Sequence, residues 1–233
     1  MEMVQNRDII KPNLKYPEDF IDNIICGDCL DLMKLIPNNS IDVVLTDPPY
    51  GLNKDGVRGD ADLSLFYKVL PECDRVLKDN SFFITFFSTK FLPQLFKNNP
   101  FNYFWQIVLY CPEGRVKSPI GYTKFMSCFI FKKGNPKTVR WNKDIFIDTP
   151  GKMVEPDEGY IDHPTPKPKH FIKEILKMFS NENDLILDPF IGSGSAAVAC
   201  LQLNRRFIGF EIEEKYYKIA LERVQKVLES VIK

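Results

Sequence analysis

The sequence predicts a doubly wound α/β fold, a mostly parallel sheet of seven strands with helices on both faces and an antiparallel hairpin at one edge. Three observations carry this expectation. Short all-apolar runs such as SIDVVLTD (40–47), SFFITFF (81–87) and DLILDPF (184–190) suit strands buried on both faces. Stretches of helical period lie between them, and two consecutive strand-like runs (103–111 and 125–133) break the alternation. At 233 residues and 44% hydrophobic content the chain matches one domain with a core of its own.

The elements follow in order. Residues 1–22 read as a polar arm with prolines, IDNIIC (21–26) as a short strand, and CLDLMKLIP (29–37) as an amphipathic helix stopped by Pro37. The 40–47 strand ends at a Pro-Pro break. The loop 51–62, with three glycines and many charges, is either a lid over a bound nucleotide or a loop with no gating role. Leu65, Phe66, Val69, Leu70, Val76 and Leu77 set a helix over 64–78, followed by the 81–87 strand and a helix over 89–98. After the hairpin runs, 134–162 shows weak periodicity. KPKHFIKEILKMF (167–179) is a helix entered through proline. The strand 184–190, the small-residue helix 193–203, the strand 205–212 and a closing helix 213–230 complete the chain. In that last helix Tyr216, Ile219, Ala220 and Val224 share one face, which reads as packing.

Charge is balanced, 31 basic against 31 acidic, so a nucleic-acid partner is not announced globally. No apolar stretch is long enough to span a membrane, the N-terminus does not resemble a signal peptide, and the six cysteines are scattered, so a cytoplasmic location is expected. Two histidines and dispersed cysteines give no metal-ligand spacing.

Two turns carry chemistry. Thr46-Asp47-Pro48-Pro49-Tyr50-Gly51 follows a buried strand, where ligands of open α/β sheets bind. Two prolines stiffen the backbone and remove two N–H donors, leaving bare carbonyls. Asp47 adds a carboxylate and Tyr50 a flat aromatic face. An amino group has two N–H donors, which a carboxylate and a carbonyl can receive, pushing the nitrogen lone pair toward an electrophile. A base in a duplex reaches such a pocket only when flipped out. The plain alternative is an ordinary strand-to-loop turn. The second turn, Asp188-Pro-Phe190-Ile-Gly192-Ser193-Gly194-Ser195, links a strand to a helix, and its glycines let backbone N–H groups approach a ligand closely. Glu211, 19 residues beyond Gly192, ends the next strand, where an acid can bind ribose hydroxyls. The spacing is not that of the full dinucleotide fingerprint, and a structural glycine turn is the alternative.

At these residues the chain resembles the amino-methyltransferases that modify DNA, whose pattern pairs an (Asp/Asn/Ser)-Pro-Pro-(Tyr/Phe/Trp) tetrad with a Phe-x-Gly-x-Gly motif. The tetrad comes first here, which resembles the permuted β class. His163-Pro-Thr-Pro-Lys-Pro168 and Cys26-Gly-Asp28-Cys29 resemble two further motifs of that class. The resemblance implies a Rossmann-like methyltransferase fold and S-adenosylmethionine as cofactor. It implies that Asp188, Phe190, Gly192, Ser193, Gly194 and Ser195 cradle that cofactor, with Glu211 on its ribose, Asp28 and Cys29 near its adenine, and Thr165 and Lys167 near its methionine end. Asp47, Pro48, Pro49 and Tyr50 would hold the target base, adenine N6 by the Asp in the tetrad, with cytosine N4 as the alternative. The redox alternative for Cys26-x-x-Cys29 is disfavoured by Asp28. The resemblance also makes double-stranded DNA the substrate and leaves room for a homodimer and a cognate restriction endonuclease.

Three features depart from the family. MSCFIF (126–131) lacks its usual acidic residue, the turn Lys78-Asp-Asn-Ser81 lacks its glycine pair, and the stretch before His163 is too short for a large target-recognition domain. The expectation is therefore a single methyltransferase domain over 1–233, with 112–162 as a small DNA-contact region. Between Gly114 and Lys143 lie eight basic residues and no acid: Arg115, Lys117, Lys124, Lys132, Lys133, Lys137, Arg140 and Lys143. With Tyr122, Phe125 and Trp141 interleaved they read as one phosphate-binding edge, or as a solvated face. Two other functions stay open: methylation of RNA or a protein amide, which the motif order and Asp47 count against, and a non-catalytic DNA-binding subunit.

Overall fold

The computed structural model describes residues 13–49, 62–112, 116–118, 120–147, 154–155, 159–163 and 166–231. The elements are β1 (Asn23–Cys26), α1 (Cys29–Met33), β2 (Ile41–Thr46), α2 (Ser64–Val76), β3 (Leu77–Phe86), a 3₁₀ turn (Thr89–Phe91) and α3 (Leu92–Phe96). Then come β4 (Asn102–Tyr110), the small hairpin β5 (Val116–Ser118) and β6 (Gly121–Thr123), β7 (Phe125–Lys133), β8 (Ile145–Ile147), β9 (Val154–Glu155) and β10 (Gly159–Tyr160). The chain closes with α4 (Lys169–Phe179), β11 (Leu185–Asp188), α5 (Ser195–Gln202), β12 (Arg206–Glu211) and α6 (Glu214–Val231).

The main sheet has eight strands in the order β1-β12-β11-β2-β3-β7-β4-β8. All neighbours are parallel except β7, which runs antiparallel to both β3 and β4. The expected seven strands and the β4/β7 pairing are present. β8 corrects the count and the edge: Ile145–Ile147 pairs in parallel outside β4, so the antiparallel pair is not outermost. Three residues are too short to show a period, and their partner is 37 positions away in the Val108↔Ile145 register.

Alternation along the central strands feeds two cores, one on each side of the sheet. Val43 and Leu45 join Phe171, Ile175, Ala197 and Val224 of α4, α5 and α6. Val44, between them, joins Met33, Phe66, Val69 and Leu70 of α1 and α2. Burial of each such side chain contributes about 1.5–3 kcal/mol before chain entropy is charged against it.

From the centre the chain winds two ways: β2 leads through α2 to β3 on one side, and β11 leads through α5 to β12 on the other. β2 and β11 are adjacent, with Ile186↔Val43 and Leu187↔Val44 in register. Their carboxyl ends thus flank the topological switch point, where open α/β sheets form a crevice.

Candidate active site

Both turns singled out in the sequence open into that crevice. β2 ends at Thr46, whose hydroxyl donates to Asp188 Oδ1 at the end of β11 (3.0 Å). The Phe190 amide donates to the same oxygen at 3.0 Å. Burial pushes the Asp188 carboxyl up to about 7, against the pull of these two donors. Thr46, Asp47, Lys167, Asp188, Gly192 and Ser193 all line one cavity. Tyr50 lies outside the described residues, but Asp47 and Gly192, more than a hundred residues apart, share one hollow.

Asp47 sits at the mouth of β2 with Pro48 and Pro49 buried behind it. Its Oδ2 is ion-paired with Lys167 Nζ, which also lies 5.3 Å from the centre of the Phe86 ring. Its Oδ1 is buried and has no hydrogen-bond partner among the described residues. Burying such an acceptor without a partner costs free energy, so an unmet oxygen on a residue that lines the cavity suits a donor brought by a ligand.

Across the cavity the glycine turn is held from three directions. Gly192 has φ +53 and its amide donates to Glu211 Oε2 at 3.0 Å. A Cβ at Gly192 would stand 3.1 Å from His163 Nε2, so the imidazole presses on the turn. Gly194, at φ +81, caps α5. Glu211 also accepts from the Glu213 amide at 2.8 Å, and burial raises its carboxyl pKa against these backbone donors. These two donors leave the carboxylate with lone pairs to spare. Burial, then the charges of Lys167 and Arg223, push His163 down to about 4, so it is neutral at pH 7.

Glu211 ends β12, and Asp28 stands two residues past the end of the neighbouring strand β1, with the Gly27 amide donating to the Glu211 carbonyl at 2.9 Å. Asp28 is exposed, and its Oδ1 caps α1 through the Leu30 amide at 2.8 Å. Cys29 points into the core, only 6% exposed, and burial and Asp28 push its thiol up to about 12. A side-chain role for Cys29 at the crevice is therefore corrected to packing, and thiolate chemistry at this pair is disfavoured. Phe190, Ser193 and Ser195 line the cavity, as does Lys167, which engages Asp47. Thr165 lies outside the described residues.

The basic residues of the hairpin region do not form one edge. Register puts Lys132 and Lys133 opposite Phe82 and Ser81, and Phe82 opposite Val43 near the start of β2, so both lysines lie away from the crevice end of the sheet. Lys133 is bound there to the carbonyls of Asp74 and Leu77. Lys137 follows on the same side, and the Arg140 amide reaches Met178 at the far end of α4. Lys143 lies over the Phe146 ring at 5.2 Å. Lys124 is on the crevice side, beside the β5/β6 hairpin, its Nζ donating to the Pro112 carbonyl at 2.8 Å. Arg115 and the Lys117 side chain lie outside the described residues, as do 51–61 of the expected lid.

Residues 132–222 match the DNA methylase model for N6/N4 amino-methyltransferases. The type II methyltransferase M.HpaI of Haemophilus parainfluenzae is 30% identical over 86% of this chain and 73% of its own length. The chain belongs to the N6/N4 DNA methylase family. The DNA adenine methyltransferase YhdJ of Escherichia coli K12 is a 28% identical relative of this methyltransferase, over 86% of the chain and 82% of YhdJ. Among solved structures, the M1.HpyAVI–SAM complex aligns with a TM-score of 0.68 at 22% identity, covering 87% of this chain and 98% of that one. The cytosine-N4-specific PvuII DNA methyltransferase aligns with a TM-score of 0.71 at 17% identity, covering 89% and 90%. These two likenesses are of fold.

Sequence reasoning missed several neighbours of this methyltransferase's crevice. Phe86 lines it, and Arg223 and Tyr216 back it from α6. One signal pointed to Arg223: it is a cation on the apolar stripe of its helix, between Ala220 and Val227.

Proposed function

We propose that this methyltransferase moves a methyl group from S-adenosylmethionine to N6 of an adenine that has been turned out of double-stranded DNA. The observation that carries the reading is Asp47 Oδ1, buried and without a hydrogen-bond partner among the described residues, on a side chain that lines the cavity shared with the glycine turn. The remaining residues fit an adenosyl cofactor. A Cβ at Gly192, at φ +53, would crowd His163, Glu211 keeps acceptor capacity for hydroxyls, and Asp28 follows the end of the adjacent strand.

S-adenosylmethionine supplies an electrophilic methyl group when bound. The chain's part is position and electrostatics. Asp47 Oδ1 accepts one N–H of the target amino group, and a carbonyl of the Pro48-Pro49 turn accepts the other, aligning the nitrogen lone pair. The carboxylate then stabilises the positive charge that develops on nitrogen. Lys167 holds Oδ2, so Asp47 cannot swing away from the cavity. Positioning of this kind can supply roughly 7–11 kcal/mol of a barrier. No enzyme nucleophile is needed.

We also read residues 112–162 as the DNA-contact region of a single domain. The β5/β6 hairpin rises on the crevice side, with Ile120 and Tyr122 exposed at 99% and 60%, beside exposed Lys124. Apolar, aromatic and basic side chains together suit a disturbed duplex with its phosphates.

Cytosine N4 is the second reading, favoured by the fold shared with the PvuII enzyme. Adenine is preferred on the tetrad Asp47-Pro-Pro-Tyr50 and on the relative YhdJ. Expression in a host free of DNA methylation, followed by nucleoside mass spectrometry, separates them. N6-methyladenine is expected, N4-methylcytosine alone would select the second reading, and neither base from an active preparation would overturn both.

A further inference from the structure

α6 lies outside both turns, yet one stripe of it backs the whole glycine turn. Tyr216, Ala220 and Arg223 are spaced for a single helical face. Tyr216 meets the edge of His163 at 4.6 Å between ring centroids. A Cβ at Gly194 would come within 2.9 Å of the Ala220 Cβ, so helix and turn are in direct contact. Arg223, only 5% exposed, donates through Nη1 to the Ser193 carbonyl at 2.6 Å, to Ser195 Oγ at 3.1 Å and to Ser193 Oγ at 3.3 Å.

Helix stability alone does not explain this placement. Taking a guanidinium out of water is costly. The start of α5, where Ser195 is the first residue, is the positive end of a helix, where a cation is unfavourable and an anion favourable. A charge set there against the local field suits a site that must receive a negative group.

The cofactor reading says which group that is. A sulfonium carries three substituents. If its methyl faces Asp47 and its ribose faces Glu211, the amino-acid tail is left for the remaining wall, formed by His163, Ser193 and Ser195. That tail carries a carboxylate. His163 is neutral and adds no competing charge.

We propose that Arg223 is a positioning residue for the cofactor's amino-acid tail. It locks the Ser193–Ser195 turn from behind and sets a positive field at the start of α5. The inference rests on the S-adenosylmethionine reading above.

The test is a ligand-truncation cycle by calorimetry on the full chain. S-adenosylhomocysteine keeps the tail carboxylate, and 5′-methylthioadenosine lacks it. In Arg223→Lys, which keeps charge but cannot reach all three acceptors, S-adenosylhomocysteine should bind about tenfold more weakly. In Arg223→Gln the loss should be larger, while 5′-methylthioadenosine changes less than threefold in both. Equal losses for the two ligands, or no loss for either, would overturn the proposal. So would failure of both variants to show a cooperative unfolding transition, which would assign Arg223 to folding. If the wild-type chain binds neither ligand, the cofactor reading itself has failed, a separate and distinguishable result.

Discussion

Two lysines of this molecule sit in half-buried ion pairs at opposite ends of one sheet, and they do different things. At the end away from the crevice, Lys133 Nζ reaches the Asp74 and Leu77 carbonyls at 2.6 and 2.8 Å, with the Asp74 and Asp79 carboxylates at 3.5 and 3.8 Å. Its donors are used up in strapping the α2–β3 junction. At the other end Lys167 takes only one oxygen of Asp47, and the second oxygen is buried with no hydrogen-bond partner among the described residues, on a side chain that lines the cavity. Charge alone therefore does not mark function in this protein. Unspent hydrogen-bonding capacity beside a hollow does.

The comparison can be broken most sharply at Asp47. Asp47→Ala should lower methyl transfer to DNA by roughly 10²–10³-fold or more, while S-adenosylhomocysteine affinity changes only a few-fold. Transfer of tritiated methyl at the wild-type rate would remove Asp47 from the chemistry.

At the far end the effect should be on stability. Lys133→Met leaves two carbonyls unmet and should cost about 1–3 kcal/mol in urea unfolding. The salt dependence of DNA binding should not move. Lys124→Ala should do the reverse, changing the slope of log K against log salt by about 1 and stability by less than about 0.5 kcal/mol. A flatter slope in Lys133→Met would return that residue to the DNA edge.

The last comparison concerns pH, where two effects of opposite sign largely offset each other in the wild type. Asp188 rises from 3.8 to about 7 on folding, so the folded state binds more protons in that window and its contribution to stability falls as pH rises from about 4 to 7. His163 falls from 6.5 to about 4, so its contribution is lost as pH drops through that window. The two slopes oppose each other in the wild type. Asp188→Asn should make stability climb more steeply between pH 4 and 7, and His163→Gln should make it decline. If unfolding curves of both variants parallel the wild type across this range, neither group is perturbed by burial as described.

The crevice itself was legible because its two turns are written in contiguous residues, each after an apolar strand. Proline, glycine and acid positions there report backbone geometry directly. What escaped notice depends on contacts between distant segments. β8 owes its place to pairing with β4, and three residues carry no period. Arg223 looked like one more charge on a helix, because its acceptors lie 28 and 30 residues earlier in sequence. Lys132 and Lys133 were grouped with Lys124 by proximity in sequence. A nine-residue strand, Phe125–Lys133, separates them in space by running from one end of the sheet to the other.

The Thr46 hydroxyl bound to Asp188 has a mechanical consequence. It bolts together the two strands whose ends form the opposing walls, on top of a parallel ladder that already joins them. The walls cannot part like the jaws of a hinge without tearing the middle of the sheet. Any motion that accompanies turnover must therefore leave these two strands joined, and flexing between the two halves of the molecule does not set its pace.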